Sequence, residues 1–318
     1  MDPVTTSAPV LQALARELAE SPRLRAFVDE PGRARVSEPL LAFFLAAVHL
    51  ARPGPLVCLF PDDGDARDAA EAAGWFVGED SIALLASRGV RWESGLQPPA
   101  HLVGERARAL EVLAAGGLVC VSALGYAEGL PPADQRPETI RVRVGEEPGI
   151  EGLAEELALA GYERVERVEA RGTFAVRGGI VDVFPSTGRE PVRIELFGDE
   201  VESIRAFSAF TQRALRALEE AVVYPAAERR VDLVELELGD EEPPRAPDDL
   251  VASIPNPDLV WNPDGVREVW REELATELTL GNAAELDQLP SGQRHVFEAQ
   301  RPAIAARGLA EAERDLGG

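Results

Sequence analysis

The stretch from Arg171 to Gln212, RGTFAVRGGIVDVFPSTGREPVRIELFGDEVESIRAFSAFTQ, constrains the fold more than any other part of the chain. Apolar and polar residues alternate along it in short runs, as strands with one buried face require. Turn signals separate the runs, at Pro185-Ser186-Thr187-Gly188 and at Gly198-Asp199. Alternation puts Val192, Ile194 and Leu196 on the core face, and Arg193, Glu195 and Phe197 on the other. In the preceding run Phe174 and Val176 point one way, and Ala175 and Arg177 the other. If the two strands pair, Arg177, Arg193 and Phe197 meet on one outer surface. Arginine and aromatic residues are the types enriched at binding hot spots, so this surface reads as a protein-docking site. The competing reading is that another part of the chain covers Phe197 and the arginines are merely solvated. Gly178-Gly179 lacks the spacing of a phosphate loop and reads as a β-bulge between Arg177 and Ile180.

The flanking regions have a different grammar. Residues 1–137 read as α/β. A short amphipathic helix spans Leu11–Leu18, a helix apolar almost all round spans Pro39–Ala51, and another spans Gly104–Ala115. Leu56–Phe60 and Gly117–Ser122 are apolar on both faces, like strands of a covered parallel sheet. Asp62 or Asp63 caps the helix that follows Phe60. Residues 138–228 read as a small α+β unit, with a strand at Thr139–Val144 and a helix between Pro148 and a Gly161 C-cap. Residues 229–318 read as a strand at Val231–Leu238, a Pro- and Asp-rich loop, and a helix-rich remainder ending in a helix at Arg301–Leu316. Trp261 and Trp270 are expected to pack that last part.

Composition excludes several chemistries. The chain of 318 residues contains no lysine, so it has neither a Schiff-base lysine nor the lysine of a Walker loop. Before the apolar helix, Glu30-Pro31-Gly32-Arg33-Ala34-Arg35-Val36-Ser37 lacks the glycine cradle that holds phosphates. The formal net charge of −24 disfavours binding to nucleic-acid phosphates and suits a partner with a basic face. Cys58 and Cys120 each sit inside an apolar run and read as buried free thiols. His49, His101 and His295 show no metal-ligand spacing. The N-terminus lacks a signal peptide, and the longest apolar run, Leu40–Val48, is too short to span a bilayer. A cytoplasmic location without membrane association is expected.

FAVRGGIVDVFP, PVRIELFGDEVESIR and F-x-x-x-TQRAL together resemble the excinuclease B-homology (UvrB-like) module of bacterial transcription-repair coupling factors. The likeness extends more weakly over the α/β region and into FEAQRPAIAARGLAEAERDL. It implies a degenerate RecA- or helicase-like parallel-sheet domain in residues 1–137. A small α+β domain at 138–228 would be inserted there, with the rest of the module in 229–318, leading toward domains this chain lacks. It further implies a non-catalytic interaction module of transcription-coupled nucleotide excision repair, recruiting the excinuclease A subunit (UvrA). The family's contact residues correspond to Arg177, Arg193 and Phe197. No catalytic residue, metal or cofactor is implied for this chain. ATP and magnesium would serve only the motor domains of a full-length parent, which would also meet RNA polymerase and DNA through regions absent here. The alternative is an excinuclease B-like DNA-damage-processing ATPase, which the missing Walker lysine argues against. A DNA-binding module would need a basic stripe.

Overall fold

The apolar runs near the N-terminus form a sheet buried on both faces, and the strands that complete that sheet come from the far end of the chain. The structure is a computed structural model describing residues 8–29, 33–60, 62–91, 94–128, 130–231, 258–261, 267–270, 273–282 and 294–297. The first region runs α1 (Ala8–Ala19), α2 (Pro22–Asp29), β1 (Arg33–Ser37), α3 (Leu41–Ala51), β2 (Leu56–Phe60) and α4 (Asp63–Val77). It continues through β3 (Ile82–Leu85), α5 (Ala100–Ala114), β4 (Leu118–Ser122) and α6 (Ala123–Ala127). β2, β4 and β3 are parallel neighbours. Leu56, Cys58, Phe60, Leu118 and Cys120 pack into a core shared with α1–α4. Val57, Val119 and Val121 on the reverse face pack with Ala109, Val112 and Leu113 of α5. A strand with both faces covered needs such an unbroken apolar run, which is why no alternation is seen there. Cys58 and Cys120 lie directly opposite one another, both free and buried, and burial pushes the Cys58 thiol up.

The expectation of a purely parallel sheet needs correcting. Four strands from the third region join it: β13 (Asp258–Trp261), β14 (Arg267–Trp270), β15 (Glu273–Asn282) and β16 (Arg294–Phe297). The sheet is eight-stranded, ordered β16-β1-β15-β13-β2-β4-β3, with β14 on β15. β13 is parallel to β2, but β15 runs antiparallel to both β13 and β1, so the sheet is mixed. The helix-rich reading of 229–318 is likewise corrected, because the described residues of 258–297 are strands. Leu274, Ala275, Glu277 and Leu278 are good helix formers, but hydrogen-bonded partners on both sides of β15 override local propensity. The segment read as the place of a phosphate loop contains β1, paired with β15 and β16. The strand reading beyond Val231, the 301–316 helix and the packing of Trp261 and Trp270 lie outside the described residues.

The middle region forms a second unit. It comprises β5 (Ile140–Arg143), α7 (Ile150–Leu159), β6 (Glu163–Arg164), β7 (Thr173–Arg177), β8 (Ile180–Phe184), β9 (Val192–Phe197), β10 (Glu200–Phe207), β11 (Ala214–Leu218) and β12 (Glu220–Val223). β11-β10-β9-β8-β7-β6 is one six-stranded sheet, and β12 pairs β5. Leu153 and Leu157 of α7 pack on Phe174, Val181, Val183, Val192, Ile194 and Leu196, the core face that alternation predicts. Gly161 ends α7 at φ 87° and Gly198 turns β9 into β10 at φ 65°, as their turn signals suggest.

The two units are joined tightly. A Cβ on Gly104 of α5 would collide with Ser186 Oγ of the β8–β9 turn, so glycine allows the close approach. Beside this seam lies a buried ion cluster. Arg88 Nε and Nη2 each stand 2.7 Å from Glu228 Oε2, and Arg106 Nε is 3.3 Å from Glu228 Oε1. Glu128 Oε2 accepts from the Arg88 amide at 2.6 Å and lies 3.6 Å from Arg106 Nη1.

Candidate docking site

Strand register decides which side chains share the outer face of the six-stranded sheet. Arg177 lies opposite Ile180, Ile180 opposite Glu195, and Asp182 opposite Arg193. Directly paired residues point to the same side of a sheet. Arg177, Arg193 and Phe197 therefore all stand on the face away from α7. Arg177 sits two strands from β9, in the row between those of Arg193 and Phe197.

The Gly178-Gly179 bulge reading is corrected here. Arg177 pairs directly with Ile180, so the glycines form a two-residue hairpin turn, with Gly178 at φ 57°. The Gly179 carbonyl also accepts from the Leu196 amide at 2.7 Å, and a Cβ on Gly179 would meet Leu196 O. The glycine pair thus lets β9 close against the tip of the hairpin.

The three residues differ in how free they are. Phe197 is 82% exposed at the end of β9, so no other described part of the chain covers it. Arg177 is exposed and donates to the Glu166 carbonyl. Arg193 is held most firmly. Its Nε and Nη2 donate to the two oxygens of buried Asp182 at 2.7 and 2.8 Å, and its guanidinium lies 4.8 Å from the centre of the Phe207 ring. The hydrogen bond to Asp182 raises the Arg193 pKa despite partial burial. A bidentate pair over an aromatic ring fixes both the orientation and the charge of the side chain.

Why Asp182 is buried on an outward face follows from topology. β6 is parallel to β7, so the connecting residues 165–172 must run back along the sheet. They cross the outer face as a strap. Val168 is 1% exposed, and so are Ala175 and Phe207 on the outer face of the sheet, although none of the three belongs to the core formed with α7. Arg167 of the strap donates to the carbonyls of Ala209 and Phe210 in the β10–β11 loop. Strand alternation alone gave no sign of this cover, because the strap is a loop without periodicity.

Residues 140–228 match the UvrB interaction domain family. The domain so identified holds the whole six-stranded sheet and all three candidate residues. The chain is also similar to transcription-repair-coupling factors. That of Mycobacterium tuberculosis is 36% identical over 195 residues, covering 58% of this chain and 16% of that protein. That of Myxococcus xanthus is 38% identical over 214 residues, covering 64% of this chain and 17% of the relative. The Bacillus subtilis protein is 42% identical over 100 residues, 31% of this chain and 8% of its own length. The chain thus spans less than a fifth of the length of these relatives.

In the α/β unit the loops at the strand ends, where such sheets hold ligands, are knitted together by Asp63. Its carboxylate accepts from Ser122 Oγ at 2.7 Å, from the Ser87 amide at 3.2 Å and from the Ser87 hydroxyl. Burial pushes the Asp63 carboxyl up, but these hydrogen bonds outweigh it and hold the pKa below its ordinary value. Asp62 is the helix cap, accepting from the Asp65 amide at 2.9 Å. The two adjacent aspartates, interchangeable in the sequence, therefore have separate structural duties. Among the described residues no helix is long and apolar enough to cross a membrane.

Proposed function

We propose that the chain is a non-catalytic docking module that recruits the excinuclease A subunit in transcription-coupled nucleotide excision repair. The observation that carries the reading is Phe197, 82% exposed on the same sheet face as Arg177 and Arg193 within the UvrB interaction domain. An exposed ring flanked by guanidinium groups can fill an apolar pocket while arginine forks engage carboxylates at its rim. Arg177 is the freer cation of the two. Arg193 contributes chiefly by fixed placement, since Asp182 already engages two of its nitrogens. The proposal assigns no nucleotide, metal or catalytic group to this chain, and leaves RNA polymerase and DNA to other parts of a longer parent.

The test is capture of purified excinuclease A subunit by the 318-residue chain. Arg177→Glu and Phe197→Ala should each weaken capture by about 2 kcal/mol or more, as truncation of a hot spot does. Their melting temperatures should stay at the wild-type value. Wild-type capture by both variants would refute the reading.

A further inference from the structure

A second exposed aromatic ring stands in the loop at the other end of the sheet from Phe197. Phe210, in the loop between β10 and β11, is 90% exposed, the highest value among the exposed large apolar side chains of the described residues. A solvated loop tip normally carries small or polar residues. This loop is instead built to hold its shape. The Ser208 amide donates to the Arg213 carbonyl at 3.0 Å, and the Gln212 amide to the Ser208 carbonyl at 2.7 Å. Ser208 Oγ accepts from the Thr211 amide at 3.2 Å, and Gln212 Nε2 donates to the Ala209 carbonyl at 2.7 Å. Gln212 has φ 60°, the only non-glycine in the left-handed region among the described residues. A side chain held there is strained and persists only where its surroundings over-determine it. Arg167 ties the loop to the strap from outside, through the Ala209 and Phe210 carbonyls.

We propose that Phe210 is a second aromatic anchor of the docking surface, gripping the same acidic partner as Phe197. The inference rests on the docking reading above and extends its footprint. From Phe197 to Val192, β9 runs about 17 Å at roughly 3.4 Å per residue, and the loop lies just past that end. The two rings are thus on the order of 20 Å apart. A standard interface covers about 800 Å² per partner, a patch about 30 Å across, so one partner spans both. Charge supports a single acidic occupant. On and around this face Arg167, Arg193 and Arg205 are paired with Glu169, Asp182 and Glu195, and Arg177 and Arg213 stand exposed, as does Glu166, whereas every charged residue of α7, on the reverse side, is a glutamate. In a chain of net charge −24, a face on which arginines at least balance the carboxylates suits a negative partner surface better than the all-acidic α7 side does.

Titration calorimetry of the full chain with excinuclease A subunit tests the proposal. Phe210→Ala should weaken binding on the order of tenfold with an unchanged melting temperature, and should add to the loss from Phe197→Ala. If Phe197→Ala weakens binding while Phe210→Ala binds within twofold of wild type, the second anchor is refuted and the docking reading survives. If neither variant differs from wild type, or if wild type does not bind, the docking reading falls and takes this inference with it. A Phe210-dependent dimer in light scattering would also overturn it, since a second copy would then cover the ring.

Discussion

Replacing Glu228 by glutamine tests whether the two units are held by a buried charge balance. Two guanidinium groups, Arg88 and Arg106, face two carboxylates, Glu128 and Glu228, so the cluster is neutral. The Arg88, Arg106 and Glu228 side chains are only 3%, 3% and 6% exposed. Glu228→Gln leaves one positive charge uncompensated in that setting. At an effective dielectric of about 20, a unit pair at 4 Å is worth about 4 kcal/mol, and Glu228 makes contacts with both arginines. Breaking a buried pair costs about 3–5 kcal/mol, and glutamine still offers one oxygen acceptor, which points to the lower end, about 3 kcal/mol. At about 2–4 °C per kcal/mol for domains of a few hundred residues, the melting temperature should fall by about 6–12 °C. Calorimetric melts of wild type and variant measure this directly. Glu169→Gln, which breaks the exposed pair with Arg167, is the control and should produce no measurable shift. Equal melting of wild type and Glu228→Gln would show that this cluster does not clamp the units.

Two further outcomes are expected. Ile194→Ala should destabilise the interaction domain by about 2–5 kcal/mol in thermal melts, because Ile194 is 0% exposed within the α7-facing core; if it melts like wild type, the two sheet faces have been assigned wrongly. Asp63→Asn should destabilise the α/β unit at neutral pH, and the gap from wild type should narrow in acid. The Asp63 pKa is lower folded than unfolded, so its contribution is complete above the unfolded value of about 3.9 and is lost as pH falls through the folded one. A gap that stays constant from pH 7 to pH 2 would contradict that sign.

The sequence by itself determined the elements whose residues carry a period. LVCLF and LVCVS had to be strands covered on both faces, and the alternation in PVRIELF had to place Ile194 inward and Phe197 outward, because side-chain direction is a local property of the backbone. The shared outer face of Arg177, Arg193 and Phe197 was legible for the same reason. Only the tertiary structure decided what covers those faces. ELATELTL became strand β15 because β1 and β13 offer hydrogen bonds on both sides, a condition outside its local propensity. Nothing near Arg193 in the chain marks Asp182 as its partner, and nothing around Arg88 or Arg106 marks them for burial beside Glu228. Phe210 stood inside a legible motif without a role, because exposure at a loop tip is set by the strap and hairpin around it. Buried charges and loop crossings depend on which distant segments meet, and hydrophobic period carries no record of that.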